Sequence, residues 1–257
     1  MVRMGVFVVA CLLLASGCGS TSHPSHPADQ ARAETLSFAS QTRNAVAQFV
    51  VWKPKEGQEQ NFDNGYKQHL RWHESNGDTW GWYGWYFTSG PRHGQFMDAT
   101  IGRAWSDFDA PLKPAEDAAD NRAHVHPFGE FQSICRVIAL EDLSIGRPSG
   151  LTSKYVRMVT LTVTDTPNAL RVLGKLKTNY QETIGIKTML AYRIVDGGDL
   201  NDILLFMGFT TVEEYGKSAH LAEDIETLEH QLGIRAIGAM HSESLTYRAD
   251  MSLLPRQ

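Results

Sequence analysis

One order of predicted elements occurs twice in this chain, and this duplication constrains the fold more than any single motif. The first copy covers residues 44–150 and the second covers residues 151–257. Runs rich in β-branched and aromatic residues predict four strands in each copy. The predicted strands lie at 45–52, 79–88, 95–104 and 130–140 in the first copy, and at 155–164, 187–195, 202–210 and 234–245 in the second. Duplication at this scale predicts two similar folding units.

The helices complete the repeated order. Apolar residues at helical spacing predict a helix after the first strand of each unit, at 59–74 and 167–183. A further helix at 212–232 follows the third strand of the second unit. The matching segment of the first unit, 109–127, contains three prolines, which allow at most a short helix at 115–121. Each half therefore has the predicted order β-α-β-β-α-β.

The predicted strands indicate how the two units pack. Segments 80–87 and 203–209 are apolar at both odd and even positions, which is typical of a sheet covered on both faces. Helices of each unit can cover one face, and the sheet of the companion unit can cover the other. The predicted fold class is α+β, with the two units packed sheet to sheet.

This arrangement resembles the dimeric α/β-barrel superfamily in its tandem, single-chain form, with two ferredoxin-like repeats. The most distinctive sequence segment in the first repeat is Trp80-Gly81-Trp82-Tyr83-Gly84-Trp85-Tyr86, and it resembles an uncharacterised branch of that superfamily. Members include monooxygenase-like, haem-binding and NIPSNAP-like proteins. The resemblance therefore implies a fold without selecting one function.

The first 18 residues predict where the protein is located. Arg3 precedes an apolar run at 6–14, which is too short for a spanning helix, and Leu14-Ala15-Ser16-Gly17-Cys18 follows. This pattern resembles a bacterial lipoprotein signal. The resemblance implies that residues 1–17 are a removed signal peptide, that Cys18 carries the lipid, including palmitate, that anchors the chain to a membrane, and that 18–43 is a tether. We expect the folded part to lie in the cell envelope outside the cytoplasm. Gly19, which is not aspartate, favours the outer membrane.

The charge pattern limits the kinds of binding partner, and the cysteine content limits disulfide formation. The net charge of −5 is made of interspersed signs, so nothing in the sequence indicates a nucleic-acid partner or a second membrane contact. With the signal removed and Cys18 acylated, Cys135 is left as a single free thiol, which cannot form an intramolecular disulfide. The oligomeric state is not determined by the sequence.

Aromatic residues in the strand at 79–88 are candidate ligand contacts. Because side chains alternate along a strand, Trp82 and Tyr86 share one face while Trp85 lies on the other. Gly81 and Gly84 leave room for a ring or a ligand. An aromatic cleft suits a flat apolar molecule, although large aromatic residues also fill ordinary cores. The complete set of candidate ligand-binding residues is Trp82, Trp85, Tyr86, Arg103 and Arg193.

Histidines are the weaker candidates for haem binding or acid/base chemistry. His69 and His73 are four residues apart on the predicted first helix and face the same way, a spacing that suits one metal ion or a haem-facing imidazole. No third ligand is evident, so we expect both to be exposed and assign no metal site. His93 and His241 complete this set.

Charged residues within the strands have a structural interpretation as well. Arg103, Arg157, Arg193 and His241 are expected at exposed strand edges, because an inward charge would need a partner. Asp98 is expected to pair with Arg103 or Arg157.

Three functions remain open at this point. The favoured one is a lipid-anchored envelope protein that binds a small apolar or aromatic molecule in the barrel cleft. The first alternative, which rests on the superfamily resemblance, is a haem-dependent or cofactor-independent monooxygenase-like enzyme, and haem is its only suggested cofactor. The second alternative is a non-catalytic structural or interaction module with a solid interior.

Overall fold

The computed structural model describes residues 45–254, so the predicted signal peptide and tether lie outside the described residues. Eight strands form the sheet: β1 Val46–Pro54, β2 Tyr83–Phe87, β3 Phe96–Arg103, β4 Gly129–Ala139, β5 Tyr155–Val163, β6 Met189–Asp196, β7 Asp202–Phe209 and β8 Ile237–Tyr247. The helices are α1 Glu59–Ser75, α2 Pro114–His124, α3 Thr166–Asn179, α4 Val212–Gly216 and α5 Leu221–Leu232. Within residues 45–254, no helix is long and apolar enough to cross a membrane.

The eight strands close into one antiparallel barrel in the order β1-β3-β2-β8-β5-β7-β6-β4. The first half contributes β4-β1-β3-β2 and the second half contributes β8-β5-β7-β6. The halves join where β2 pairs with β8, as in Trp85 opposite Tyr247, and where β4 pairs with β6, as in Val137 opposite Ile194. The sheet-to-sheet packing expected from the sequence is therefore completed by hydrogen bonds along both seams.

The predicted burial of both strand faces is confirmed for β7. In β7, Leu204 and Phe206 point into the barrel, while Ile203, Leu205 and Met207 pack under the helices of the second half. All five side chains are at most 3 % exposed. The barrel thus has an apolar interior and a helix layer outside each half.

Two predicted helices differ from the observed ones. The segment at 212–232 is broken between α4 and α5, where buried Ser218 accepts a hydrogen bond from Arg157 through its hydroxyl oxygen at 3.1 Å. In the first half, α2 extends to eleven residues instead of the short helix expected. Pro114 occupies its first turn, where no backbone N–H is needed, and Pro127 lies beyond its end, so neither proline interrupts it.

Local sequence explains where two helices of the second half begin and end. The side chain of Asp165 accepts the backbone N–H of Asn168 at 3.2 Å, which caps α3. Gly233 ends α5 with φ of +66°, a conformation that glycine adopts without steric cost.

Candidate functional site

The centre of the barrel is filled by aromatic side chains. Tyr83, Trp85 and Phe87 of β2 belong to the interior cluster, which identifies the inward face of that strand. The rings of Phe49 and Phe206 stack with centroids 5.0 Å apart, and Tyr192 meets Phe49 edge-on at 5.9 Å. A ligand therefore has space at the two ends of the barrel but not at its middle.

One end holds a cavity of about 410 Å³, which we call the Tyr192 cavity. Inward side chains of β3, β4 and β6 form its floor, including Ile101, Leu190 and Tyr192, and the loop after β4 supplies Glu141 and Arg147. Burial raises the pKa of Tyr192 above its ordinary value, so its hydroxyl keeps its proton. The cavity combines an apolar floor with a neutral hydroxyl and charged groups from the loop.

The other end holds a cavity of about 280 Å³ lined by Arg92 and Cys135. Arg92 is ion-paired with Glu243 and lies over the ring of Phe87 at 4.1 Å, so its charge already has a partner. Burial raises the pKa of the Cys135 thiol, which disfavours the reactive thiolate. This end therefore offers neither a free cation nor an activated nucleophile.

The structure separates the predicted ligand-binding residues. Trp85 lies inside the barrel and donates its indole N–H to the backbone oxygen of Leu151 at 2.9 Å, whereas Trp82 and Tyr86 face the first helix layer. Arg103 lies over the ring of Trp80 at 4.9 Å, and Arg193 is half-buried on β6. These five residues do not converge on one pocket.

Packing fills the room expected at Gly84. A Cβ atom there would lie 2.4 Å from the backbone oxygen of Met251 and 2.9 Å from the ring of Phe96. Glycine at this position therefore allows the segment after β8 to approach closely and leaves no space for a ligand.

The expected pairing of Asp98 with an arginine is wrong. Asp98 faces the first helix layer, where it is 4 % exposed and accepts the indole N–H of Trp52 at 3.2 Å and a hydrogen bond from Tyr66. Burial raises the pKa of Asp98 to about 7. Among residues 45–254, no cation forms an ion pair with this carboxyl, and burial therefore favours its protonated form.

The expected exposure of His69 and His73 is also wrong. They are 5 % and 2 % exposed, because the face of α1 that carries them packs against α2 and the ring of Trp82, just before β2. Nδ1 of His69 lies 2.8 Å from a carboxylate oxygen of Asp120, and Nδ1 of His73 lies 2.8 Å from one of Asp78. Asp117 is close to both rings. We call His69, His73, Asp78, Asp117 and Asp120 the histidine cluster.

Burial and hydrogen bonding shift the acidities within the histidine cluster in different directions. Burial lowers the pKa of His69, despite its bond to Asp120, and burial raises the pKa of Asp117. Burial alone would raise the pKa of Asp78, but hydrogen bonds from His73 and from two tryptophan N–H groups outweigh it and hold that pKa below its usual value. Neutral His69 and ionised Asp78 are therefore favoured at neutral pH.

Sequence reasoning found the two histidines and missed the three carboxylates. Asp117, Asp120, Asn121 and His124 have the spacing i, i+3, i+4, i+7, which marks one face of a helix. That pattern was available in the sequence, but the flanking prolines limited the predicted helix to 115–121, and nothing in the sequence connected its polar face with His69 and His73.

The four predicted histidines do not fit a haem. A haem ligand needs a nitrogen that faces a flat open space, and the ring of Trp82 lies 4.5 Å from that of His73 while Trp72 lies 5.0 Å away. His93 and His241 are exposed, on the turn before β3 and on β8. Among the described residues, the group that can offer metal ligands is His69, His73 and Asp117.

Comparison with known proteins shows a shared fold. No protein-family model matches the chain, and no curated protein matches it in sequence. A "putative monooxygenase" from Lactobacillus acidophilus superposes with a TM-score of 0.55 at 11% identity, covering 82% of this chain and 97% of that one. Chlorite dismutase from Candidatus Nitrospira defluvii superposes with a TM-score of 0.53 at 8% identity, covering 83% of this chain and 95% of that one. An anthrone oxidase-like protein superposes with a TM-score of 0.53 at 9% identity, covering 80% of this chain and 92% of that one.

Sequence identities this low carry no information about activity, whereas the superpositions cover more than four-fifths of this chain and nearly all of the first two neighbours. The chain therefore shares the fold of these solved structures.

Proposed function

We propose that this chain is a lipid-anchored envelope protein that binds a small, largely apolar molecule in the Tyr192 cavity. The observation that carries the proposal is the cavity itself, about 410 Å³ in volume and floored by inward apolar side chains. Ligand pockets for small molecules usually measure about 300–1,000 Å³ and combine apolar walls with a few polar groups. Tyr192 supplies a hydroxyl at the floor, and Arg147 can hold an acidic or polar end of the ligand.

The anchor is part of the same proposal. The lipoprotein-like segment ending at Cys18 supports a lipid on that residue, with the tether at 18–43 linking it to the barrel. The barrel would then stand outside the cytoplasm, with the outer membrane favoured by Gly19. We further propose that the two halves are ferredoxin-like repeats, which the shared order β-α-β-β-α-β and the matching strand orders support.

A monooxygenase-like enzyme is the second candidate function. It is supported by the names of the structural neighbours, which include a "putative monooxygenase" and an anthrone oxidase-like protein. An anthrone is a flat aromatic ketone, a class of molecule that suits a cavity with an apolar floor and one aromatic ring, that of Tyr192. In this alternative the bound molecule would be oxidised by molecular oxygen. The structural-module alternative draws its support from the filled centre of the barrel.

Ligand binding can be tested with the full-length protein and 2-naphthol as the probe. We expect saturable binding that is lost in Leu190→Trp, which fills the cavity, and kept in Ile134→Trp, whose parent residue is 39 % exposed on β4. Absence of binding to the folded parent, or equal binding by both variants, would contradict the proposal. Oxygen consumption with anthrone as substrate distinguishes the enzyme from the binding protein.

A further inference from the structure

The histidine cluster lies outside the barrel, between α1 and α2, and is separate from the Tyr192 cavity. His69 and His73 come from α1, Asp117 and Asp120 come from α2, and Asp78 comes from the loop after α1. Five ionisable side chains therefore converge from three segments of the chain. Burying such groups is costly unless each polar atom has a partner.

Carboxylates beside Nδ1 favour one tautomer of each histidine. Nδ1 of His69 forms a hydrogen bond with a carboxylate oxygen of Asp120 at 2.8 Å, so this nitrogen carries the hydrogen. Nδ1 of His73 lies 2.8 Å from a carboxylate oxygen of Asp78, which favours the hydrogen on the same nitrogen. In these tautomers Nε2 of each ring is an acceptor with a lone pair. The two Nε2 atoms lie 3.3 Å apart.

A carboxylate oxygen completes the group of acceptors. Asp117 Oδ1 lies 3.4 Å from Nε2 of His69 and 3.4 Å from Nε2 of His73. This oxygen is buried and has no hydrogen-bond donor among the described residues. Three electron-rich atoms thus meet at one point, an arrangement that is repulsive without a cation.

The surroundings supply no such cation from the protein. Within residues 45–254, no lysine or arginine nitrogen forms an ion pair with Asp78, Asp117 or Asp120. Trp72 and Trp82 pack against the His73 ring and keep its side of the cluster apolar. An external cation would be held strongly in this environment because little water screens it.

We propose that His69, His73 and Asp117 bind one divalent transition metal ion, with zinc as the best match. The three ligand atoms form a nearly equilateral triangle with edges of 3.3, 3.4 and 3.4 Å. A tetrahedral zinc ion with bonds of about 2.0–2.1 Å separates its ligands by about 3.3–3.4 Å. An octahedral ion with bonds of similar length would require edges of only about 3.0 Å. The spacing of the three ligand atoms therefore matches a tetrahedral ion.

The remaining carboxylates orient the ligands. Asp78 accepts the backbone N–H of Trp80 at 2.8 Å and the indole N–H of Trp82 at 2.9 Å, so it is held in place while it accepts from His73. Asp120 bridges His69 and His124. Metal-binding histidines in proteins typically donate their other ring N–H to such a carboxylate, which fixes the ring and increases its basicity.

Three protein ligands leave one tetrahedral position for water or a substrate. Two histidines, one carboxylate and an exchangeable position make up a catalytic type of zinc site, in contrast to the four protein ligands of structural sites. The side chain of Asp117 is 36 % exposed, so the site can be reached from the surface on that side. Asn121, whose amide nitrogen lies 3.3 Å from Nε2 of His69, is placed to hold a ligand there.

Zinc binding by the full-length protein tests the proposal. The protein is stripped with a chelator, dialysed and titrated with zinc chloride in a calorimeter. We expect one zinc ion per chain and a loss of affinity of more than tenfold in both Asp117→Asn and His73→Gln. His241→Gln, at an exposed histidine, is the matched control and should bind like the parent. Cobalt(II) substitution should give the intense visible absorption of a four-coordinate ion.

Two results would overturn the proposal. One is a folded parent that binds no zinc. The other is zinc binding that neither Asp117→Asn nor His73→Gln weakens, which would place the ion elsewhere. Should His73→Gln fail to fold, Asp117→Asn decides, because it is nearly isosteric and partly exposed. The outcome is independent of the 2-naphthol experiment, since the barrel cavity and the cluster share no residue.

Discussion

The helix layers over the two halves of the barrel differ in what they bury. In the second half, α3 and α5 pack on the sheet through apolar residues such as Val172, Leu173, Leu176 and Ile225, all completely buried. In the first half, α1 buries His69 and His73 alongside Phe62 and Leu70, and the facing strand β3 contributes Asp98. The same order of elements therefore covers the second half of the barrel with an apolar layer, whereas the layer over the first half includes a polar cluster.

Glu229 shows how the second half treats a buried charge. Its Oε1 atom accepts hydrogen bonds from the backbone N–H groups of Ala236 and Ile237 at 2.7 and 2.9 Å. These bonds explain structurally why Glu229 is buried. The histidine cluster differs because Asp117 Oδ1 is buried without a hydrogen-bond donor among the described residues and lies 3.4 Å from the Nε2 atoms of both histidines. A stable fold does not need such an arrangement, as the second half demonstrates, and this contrast is the main reason to assign the cluster a ligand.

We expect the largest effect on stability from a charge placed in the apolar layer of the second half. Leu173→Asp would bury a carboxylate in a cluster with no prepared partner, and we expect destabilisation of about 4–5 kcal/mol or complete loss of cooperative unfolding. Lys175→Asp, on the exposed face of the same helix, is the control and should change stability by less than about 1 kcal/mol. Thermal unfolding followed by circular dichroism measures both. A well-folded Leu173→Asp protein would show that this layer is not a tight core.

The buried carboxyl of Asp98 should make stability depend on pH in the first half. Its pKa rises from 3.8 in the unfolded chain to about 7 in the folded one, so the folded state holds the extra proton between these values. The stabilising contribution of the protonated carboxyl is fully present below about pH 4 and is lost as the pH rises through about 7. Relative to Asp98→Asn, the parent should lose on the order of a few kcal/mol of unfolding free energy across this range. A difference between the two proteins that does not change with pH would contradict this assignment.

Removing the hydrogen-bond acceptor at Glu229 should lower the free energy of unfolding by less than the buried charge in Leu173→Asp does. Glu229→Leu leaves two buried N–H groups without a partner, for which we expect a loss of about 2–3 kcal/mol in chemical unfolding. Glu229→Gln keeps a carbonyl oxygen at the same place and should lose about 1 kcal/mol or less. Equal losses would indicate that charge, and not hydrogen bonding, is the contribution of Glu229.

The smallest expected effect concerns the carboxylates that orient the histidines. Asp78→Asn and Asp120→Asn should each weaken zinc binding about 10- to 100-fold, because an amide is a poorer partner for the ring N–H. Calorimetric titration of both variants beside Asp202→Asn, which lies on β7 away from the cluster, checks this. Unchanged affinity in Asp78→Asn and Asp120→Asn would mean that the two carboxylates only support the fold.

Much of the fold was predictable because strand and helix patterns are local. The predicted strands at 45–52 and 202–210 differ from the observed β1 and β7 by one or two residues at their ends. The break between α4 and α5 was not predictable from the same signals. It depends on the contact of Ser218 with Arg157, residues that are 61 positions apart in the chain.

The candidate site was predictable only in part. Helical spacing placed His69 and His73 on one face, but their burial depends on α2, which packs over them from more than forty residues away. Asp78 carried no sequence signal of its own, since its role arises from the Trp80 and Trp82 groups that hold it. Local patterns therefore identified the ligand pair, and tertiary packing determined what completes it.

A crystal of the zinc-loaded protein, with anomalous diffraction recorded on both sides of the zinc absorption edge, tests the central claim most directly. We predict one strong anomalous peak about 2 Å from Nε2 of His69, Nε2 of His73 and Oδ1 of Asp117. A map without a peak between α1 and α2, from crystals grown with excess zinc, would contradict the account.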